Sequence, residues 1–297
     1  MRDLLNSLKI LQSALPYIRE FYGKVFVIKY GGSAMLSDTL RDSFARDVVL
    51  LAYVGIKVVV VHGGGPQISQ TLEKFGYKSH FIGGIRKTDE QVMHVVEMVL
   101  SGDINKDIVA LINTHSRKPI YAVGLSGRDG NLIKGKKLDK EKYFKDLGLE
   151  VPEEDLGFVG DVDEVNVELI NTLLEKNYIP VIAPVGVGER GEAYNINADI
   201  CAARIAQALQ AEKLIFLTDV EGVKDGEGKL IPTLKSEDIP SLISAGVVKG
   251  GMIPKLKSCV QALKEGVKKV HIIDGRIPHS ILLEVFTDEG IGTQILP

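Results

Sequence analysis

Apolar and polar positions along this chain switch repeatedly between two periods. Short apolar runs over 25–29, 57–61, 119–124, 179–183, 214–218 and 269–273 predict β-strands. Most are apolar on both faces, as in a parallel sheet covered on two sides. Between them lie stretches with apolar residues at helical spacing. Residues 38–54 carry Leu40, Phe44, Val48 and Leu51, and 165–176, 198–211 and 252–265 supply further helices. Thr88 and Gln91 form a capping-box pattern ahead of Val92, Val95, Val96 and Val99, which predicts a helix start at that point. At the front of the chain Leu4, Leu8, Leu11, Leu15, Ile18 and Tyr22 outline an amphipathic helix, and Pro16 within it predicts a kink. This alternation predicts an α/β fold: a three-layer α/β/α sandwich with a mostly parallel central sheet, preceded by the kinked helix. Ligands of such folds sit at the carboxyl ends of the strands. The charged stretch 134–158 reads as an excursion over the surface, and neither an internal repeat nor a low-complexity tract is present.

Composition narrows the function classes. A chain of 297 residues, 45% of them hydrophobic, can bury a large core as two lobes or as one large α/β domain. Its net charge of -3 gives no overall field for nucleic acid or an anionic membrane, so neither is expected as a partner. Asp3, Lys9, Arg19 and Glu20 break up the first 22 residues, which therefore read as neither signal peptide nor membrane span, and a cytoplasmic protein is expected. Cys201 and Cys259 lack CxxC spacing and read as small buried residues in a reducing compartment, with no metal site indicated.

The candidate chemistry sits in glycine clusters. In VVVVHGGGPQISQTLEKFG a strand ends, Gly63, Gly64 and Gly65 turn the chain, Pro66 stands where a helix begins, and Gly76 stands where it stops. Such a loop lets backbone N–H groups and a helix N-terminus face an anion. It is not a dinucleotide fingerprint, because Ile68 occupies the position of the last glycine, and Walker A and protein-kinase signatures are absent. His62 reads equally well as a structural imidazole. In VFVIKYGGSA, Lys29 closes an apolar strand just before Gly31 and Gly32, and in KGGMIPK, Lys255 follows Gly250 and Gly251. Two lysines, each tied to a glycine turn, suit a clamp on a phosphoryl group.

KYGGSAM, VHGGGPQI, GIRKTDE, YNINAD, LTDVEGV and KGGMIPK, in this order and at these distances, resemble the amino acid kinase family with its carbamate kinase-like fold. Within it they resemble the arginine-inhibited branch that acts on N-acetyl-L-glutamate. The resemblance runs from about residue 17 to residue 296. It implies transfer of the γ-phosphoryl group of ATP, with Mg²⁺ carried in by the nucleotide, to the acceptor's side-chain carboxylate. The product would be an acyl phosphate, N-acetyl-L-glutamyl 5-phosphate, in arginine biosynthesis. It also implies site roles. Lys29 and Lys255 would grip the phosphoryl in flight, with Asp199 holding both ammonium groups. The backbone at Gly31, Gly32, Gly64 and Gly65 would cradle phosphoryl and acceptor, and Arg86, Asn195 and Asn197 would hold the acceptor. Thr218, Asp219, Gly222, Gly250, Gly251 and Met252 would lie against the nucleotide. Residues 1–22 would be an oligomerisation helix, 23–190 the acceptor lobe and 191–297 the nucleotide lobe on one continuous sheet. Such helices interlace a homohexamer, a trimer of dimers, and L-arginine would act as effector in a pocket of Tyr17, Lys213, His271, Glu284, Gly290 and Gly292.

The residue types fit that chemistry on their own terms. A carboxylate acceptor with a pKa of about 4.3 is already ionised, so the reaction needs no general base, and none is apparent. What it needs is positive charge where several anions meet. Arg86 suits a carboxylate because a guanidinium pairs with it bidentately, whereas Asp199, opening a helix, reads equally as a first-turn acid favoured by the helix dipole. Two alternatives stay open: a sibling kinase acting on carbamate, uridylate, aspartate or glutamate, and a non-catalytic nucleotide or arginine sensor. The two lysines weigh against the sensor.

Overall fold

The structure, a computed structural model, describes the backbone of residues 2–297 and the side chains of residues 12–32 and 34–297. The apolar stripe at Leu4, Leu8 and Leu11 lies outside the described side chains. Helix α1 (Arg2–Phe21) continues as one helix across Pro16. Strand β1 (Val25–Tyr30), helix α2 (Asp38–Tyr53) and strand β2 (Lys57–His62) follow, then α3 (Gly65–Lys74) and a hairpin of β3 (Phe81–Ile82) and β4 (Ile85–Arg86). Next come α4 (Glu90–Glu97), a π-helical turn over Met98–Ile104, α5 (Asn105–His115) and β5 (Tyr121–Ser126). The middle of the chain supplies β6 (Ile133–Lys137), α6 (Lys140–Asp146), β7 (Val159–Val165), α7 (Glu168–Glu175), β8 (Tyr178–Ala183), β9 (Val185–Val187) and β10 (Ala193–Ile196). The last third is α8 (Ala198–Ala208), β11 (Lys213–Thr218), β12 (Thr233–Lys235), α9 (Ile239–Ser244), α10 (Met252–Lys264), β13 (Lys269–Asp274), α11 (Ser280–Phe286) and β14 (Thr293–Leu296).

Eight strands form one sheet in the order β12-β14-β13-β11-β1-β2-β8-β5, parallel throughout except where β14 runs against β13. Each strand read from an apolar run is present, and its bounds differ by no more than two residues. Strand alternation sorts β1 between two cores. Phe26, Ile28 and Tyr30 join the cluster under α2 and α5, and Val27 joins the opposite one under α8 and α10. Lys29 continues the Val27 side, towards the helices that carry Asp199 and Lys255. Cys201 and Cys259 are buried free thiols on those helices, and burial pushes the Cys201 thiol up to about 12.

Two sequence expectations need correction. The charged stretch after residue 133 is not a simple surface excursion: β6 closes a small barrel with β7, β9 and β10, and α6 buries Phe144 against Leu156 and Val159. In β6, Ile133 and Gly135 are buried, while Lys134 and Lys136 lie outside and pair with Glu164 at 2.5 Å and Asp163 at 2.6 Å. Outward lysines on a half-buried strand thus mask it as a loop. The cap of α4 is Asp89, whose carboxylate accepts from Val92 N at 2.9 Å, whereas the Thr88 hydroxyl donates to the Arg86 carbonyl at 2.8 Å. Among the described residues no helix is long and apolar enough to cross a membrane.

Candidate active site

At the carboxyl ends of β1 and β11 three charged side chains converge. Lys29 Nζ lies 3.1 Å from Asp199 Oδ1, and Lys255 Nζ pairs with Asp199 Oδ2. Asp199 stands in the first turn of α8, which Asn197 caps by accepting from Asp199 N at 2.9 Å and Ile200 N at 3.3 Å. Lys255 stands in the first turn of α10 and lies over the Phe216 ring, 4.9 Å from its centroid. Burial alone would push the Asp199 carboxyl up, but the two ammonium groups outweigh it and hold the carboxyl at about 2. Asp199 therefore stays an anion between the two lysines at neutral pH. The geometry of the cluster accounts for Asp199 better than the helix dipole does.

Two backbone loops face this cluster. Gly31 follows β1 so closely that a Cβ there would stand 2.6 Å from Lys29 Nζ. Gly32 adopts a φ of +68°, and a Cβ on it would run into the Asp219 carboxylate. Across from them Gly63 N donates to Tyr30 O at 2.8 Å, which ties the two glycine loops together. Gly64 caps α3, with Pro66 in that helix's first turn. A Cβ on Gly64 would collide with Leu100 and Ile104 of the π-helical turn.

The loops open into a cavity of about 280 Å³ lined by Lys29, Gly31, Gly64, Arg86, Asn195 and Asp199, among others. Arg86 is buried at the end of the β3–β4 hairpin. Its guanidinium donates to Gly65 O at 2.9 Å, to Ser69 Oγ at 3.0 Å and to Ser79 Oγ, and it lies 4.5 Å from the Phe81 ring centroid. All of these partners are neutral, and among the described residues no carboxylate pairs with it. A buried cation fixed by neutral groups is preorganised for an anion brought from outside. Ser69 and Ser79 give no sequence signal, because isolated serines are common. Asn195 lines the same cavity, and its amide nitrogen donates to the buried Thr88 Oγ1 at 3.1 Å. Asn197 lines the cavity too, although its carbonyl oxygen is engaged by the helix cap.

Beyond Asp199 an adjoining cavity of about 460 Å³ is lined by Gly250, Gly251, Lys255 and Tyr143. A third, of about 360 Å³, is lined by Asp219, Gly222, Val248, Lys249, Met252 and Arg276. Thr218 stays behind that lining, with its buried hydroxyl donating to Val220 O at 2.8 Å, so it shapes the turn leading into the cavity.

The residues expected around arginine meet elsewhere. Tyr17, Lys213, His271, Glu284, Gly290 and Gly292 share a cavity of about 370 Å³ between α1 and the C-terminal segment. Lys213 Nζ lies 3.0 Å from His271 Nε2, His271 Nδ1 lies 2.6 Å from Glu284 Oε1, and Glu284 Oε2 accepts from Ile291 N at 2.8 Å. Burial, helped by neighbouring Lys269, lowers the Lys213 ammonium to about 8. Burial also lowers His271. For Glu284 burial is the largest influence and acts upwards, but His271 and the Ile291 and Gly292 amides together outweigh it, and its carboxyl lies below the usual range. Tyr17 closes the cavity by donating to Asp288.

Comparison with known proteins places the chain among relatives of one family. The family model described as the amino acid kinase family matches residues 24–274. A protein of Aquifex aeolicus named acetylglutamate kinase is 69% identical over 295 residues, 99% of each chain. One of the same name from Persephonella marina is 55% identical over the full length of both. Among solved structures, N-acetylglutamate synthase from Neisseria gonorrhoeae, complexed with coenzyme A and N-acetyl-glutamate, superposes with a TM-score of 0.83 at 26% identity, covering 98% of this chain and 63% of that one. Carbamate kinase from Giardia lamblia bound to AMP-PNP, at 18% identity and a TM-score of 0.65, covers 92% of this chain and 98% of its own and shares the fold.

Proposed function

The chain belongs to the amino acid kinase family and is a kinase, and on that premise we propose that it transfers the γ-phosphoryl group of ATP to the side-chain carboxylate of N-acetyl-L-glutamate. The observation that carries this reading is the Arg86 guanidinium, buried without an acidic partner among the described residues, in the same cavity as Lys29 and Asp199. An acceptor with two carboxylates fits both ends of that cavity. One pairs with Arg86, and the other meets the two lysines and the glycine-loop amides. Gln67 Oε1, buried on the cavity wall without a hydrogen-bond partner among the described residues, offers an acceptor for the acetamido N–H. Asn195 is placed to bond the same group or its neighbouring carboxylate. The half of the sheet within residues 23–190 would thus hold the acceptor, and that within 191–297 the nucleotide. The cavity of Asp219, Gly222 and Met252 would take the nucleoside end of ATP, with Gly250 and Gly251 near its phosphates.

Phosphoryl transfer to an ionised carboxylate asks for charge compensation and alignment rather than a base. Lys29 and Lys255 would supply the charge and Asp199 would keep both ammonium groups on the reaction line, while a magnesium ion carried by the nucleotide would add further positive charge. We place the enzyme in arginine biosynthesis, with L-arginine as feedback effector in the Tyr17–Glu284 cavity, where Glu284 and Asp288 suit a guanidinium. Helix α1 would build a hexamer of interlaced dimers in the cytoplasm. An ATPase-coupled assay across N-acetylglutamate, glutamate, aspartate and carbamate, with hydroxylamine trapping of acyl phosphate, tests the reading. Hydroxamate formed chiefly from N-acetylglutamate is the expected result, and preference for another acceptor would overturn it.

A further inference from the structure

The imidazole of His62 is fully buried at the end of β2, immediately before the glycine loop. Its Nδ1 lies 2.9 Å from the carbonyl of Gly63, and its Nε2 lies 3.2 Å from Asn105 Nδ2. Asn105 is itself fully buried where the π-helical turn passes into α5. Its amide is oriented at both ends: Nδ2 donates to Val181 O at 2.9 Å and to Leu125 O at 3.3 Å, and Oδ1 accepts from Lys106 Nζ at 3.1 Å. The Gly63 carbonyl can only accept, so the imidazole proton sits on Nδ1 and is given to Gly63 O, which leaves Nε2 as the acceptor facing the Asn105 amide nitrogen. Burial lowers the imidazole to about 4, so the ring is neutral and this tautomer holds across the physiological range.

The carbonyl of one residue and the N–H of the next point in opposite directions across a trans peptide. Pinning Gly63 O against the ring therefore turns the Gly64 N–H the other way, and among the described residues that amide has no hydrogen-bond partner in the chain. Leu100 and Ile104 of the π-helical turn press on the Cα side of Gly64, so one local distortion of the α4–α5 helix grips the loop from two sides. We propose that His62 and Asn105 are a positioning pair that aims the Gly64 amide at the anion transferred in the site. Neither touches the substrates. They act through the peptide between Gly63 and Gly64, and the proposal rests on the reading of that loop as part of the phosphoryl site.

Two substitutions at His62 separate its two bonds in the full-length enzyme. Asparagine places an amide nitrogen where Nδ1 stood and can still hold Gly63 O, whereas glutamine reaches the Nε2 position, keeps Asn105 and releases Gly63. His62→Asn should keep kcat within about fivefold of wild type. His62→Gln should lower it roughly 10- to 100-fold, somewhat less than outright loss of an oxyanion donor, with KM for ATP little changed. Asn105→Asp, which can no longer donate to Nε2, should lower kcat like His62→Gln and move the imidazole proton to Nε2 in ¹⁵N-detected spectra. Equal kcat values for His62→Asn and His62→Gln, or losses that simply follow the fall in Tm, would overturn the inference while leaving the kinase reading in place. A wild-type protein that phosphorylates no acceptor would overturn both.

Discussion

Lys29 Nζ and Asp199 Oδ1 stand 3.1 Å apart at the carboxyl edge of the sheet, and the second carboxylate oxygen of Asp199 is taken by Lys255. One anion thus holds two cations that would otherwise repel each other, and it leaves the group with a net positive charge facing two glycine loops. The helix N-termini of α8 and α10 add partial positive charge at the same edge. Such an arrangement is stable without substrate and attracts a polyanion.

Loss of either ammonium should therefore act on the chemical step. Lys29→Ala and Lys255→Ala are each expected to lower kcat by at least about a hundredfold, the scale of losing one electrostatic contact to the transition state, while the fold survives. Steady-state kinetics with circular dichroism checks this, and near wild-type turnover in either variant would remove the clamp.

Asp199 also ties stability to pH. Its carboxyl titrates at about 2 in the folded protein instead of 3.8, so its stabilising effect is fully present above pH 3.8 and is lost as the pH falls through about 2. The shift corresponds to roughly 2 kcal/mol at 1.36 kcal/mol per pH unit. Asp199→Asn should be less stable than wild type by about that amount at pH 6, and the gap should close towards pH 2.5. Urea unfolding across that range measures it. A gap that does not narrow in acid would mean the carboxylate is not held by the lysines.

Arg86→Lys keeps the charge but cannot bond Gly65 O, Ser69 and Ser79 in the same plane. We expect KM for N-acetylglutamate to rise at least about tenfold, the loss of one charge-assisted bond, with KM for ATP moving far less. Equal effects on both substrates would place Arg86 outside the acceptor pocket.

If L-arginine is the effector, as proposed, its inhibition should weaken in alkali. Lys213 loses its charge at about pH 8, as burial and Lys269 dictate, and the charged form is the one that can pair with the effector's carboxylate. The inhibition constant should rise as pH passes through 8, and Lys213→Met should start weak and lose that step. A wild-type constant that stays flat from pH 7 to 9 would exclude Lys213 from effector binding.

The main sheet was legible because parallel strands buried on both faces leave continuous apolar runs, of which Val58 to Val61 is the clearest. Lys29 stood out as the charge closing such a run, and Arg86 through the GIRKTDE motif of the family resemblance. The barrel strand β6 was hidden, since its short inward positions are Ile133 and Gly135 and the rest is lysine. The partners of Arg86, Ser69 and Ser79, reach it only through the folding of the β3–β4 hairpin over α3. The bond between His62 and Asn105 spans 43 positions and depends on a π-helical turn, a local distortion that periodicity does not announce.

On the proposed assembly the two ends of α1 would serve different purposes, which truncation can separate. Phe21 is 3% exposed and packs edge-on against Phe26 with ring centroids 5.2 Å apart, and Lys213 lies over its face. Tyr17 reaches Asp288 across the cavity proposed for arginine. The last turn of the helix therefore belongs to the body of the subunit, whereas Leu15, one turn earlier, is 43% exposed and available to a partner. Removing residues 1–14 should convert a hexamer into dimers and leave both turnover and arginine binding largely intact, because Tyr17 and Phe21 remain. Removing residues 1–22 should also abolish arginine inhibition, at some cost in stability from the lost Phe21, yet spare catalysis, since each proposed catalytic residue lies beyond it. Light scattering and arginine titrations on the two truncated proteins decide this. A full-length dimer, or a hexamer that survives loss of residues 1–14, would sink the role in assembly. Inhibition of the shorter protein at parental arginine concentrations would sink the location of the pocket.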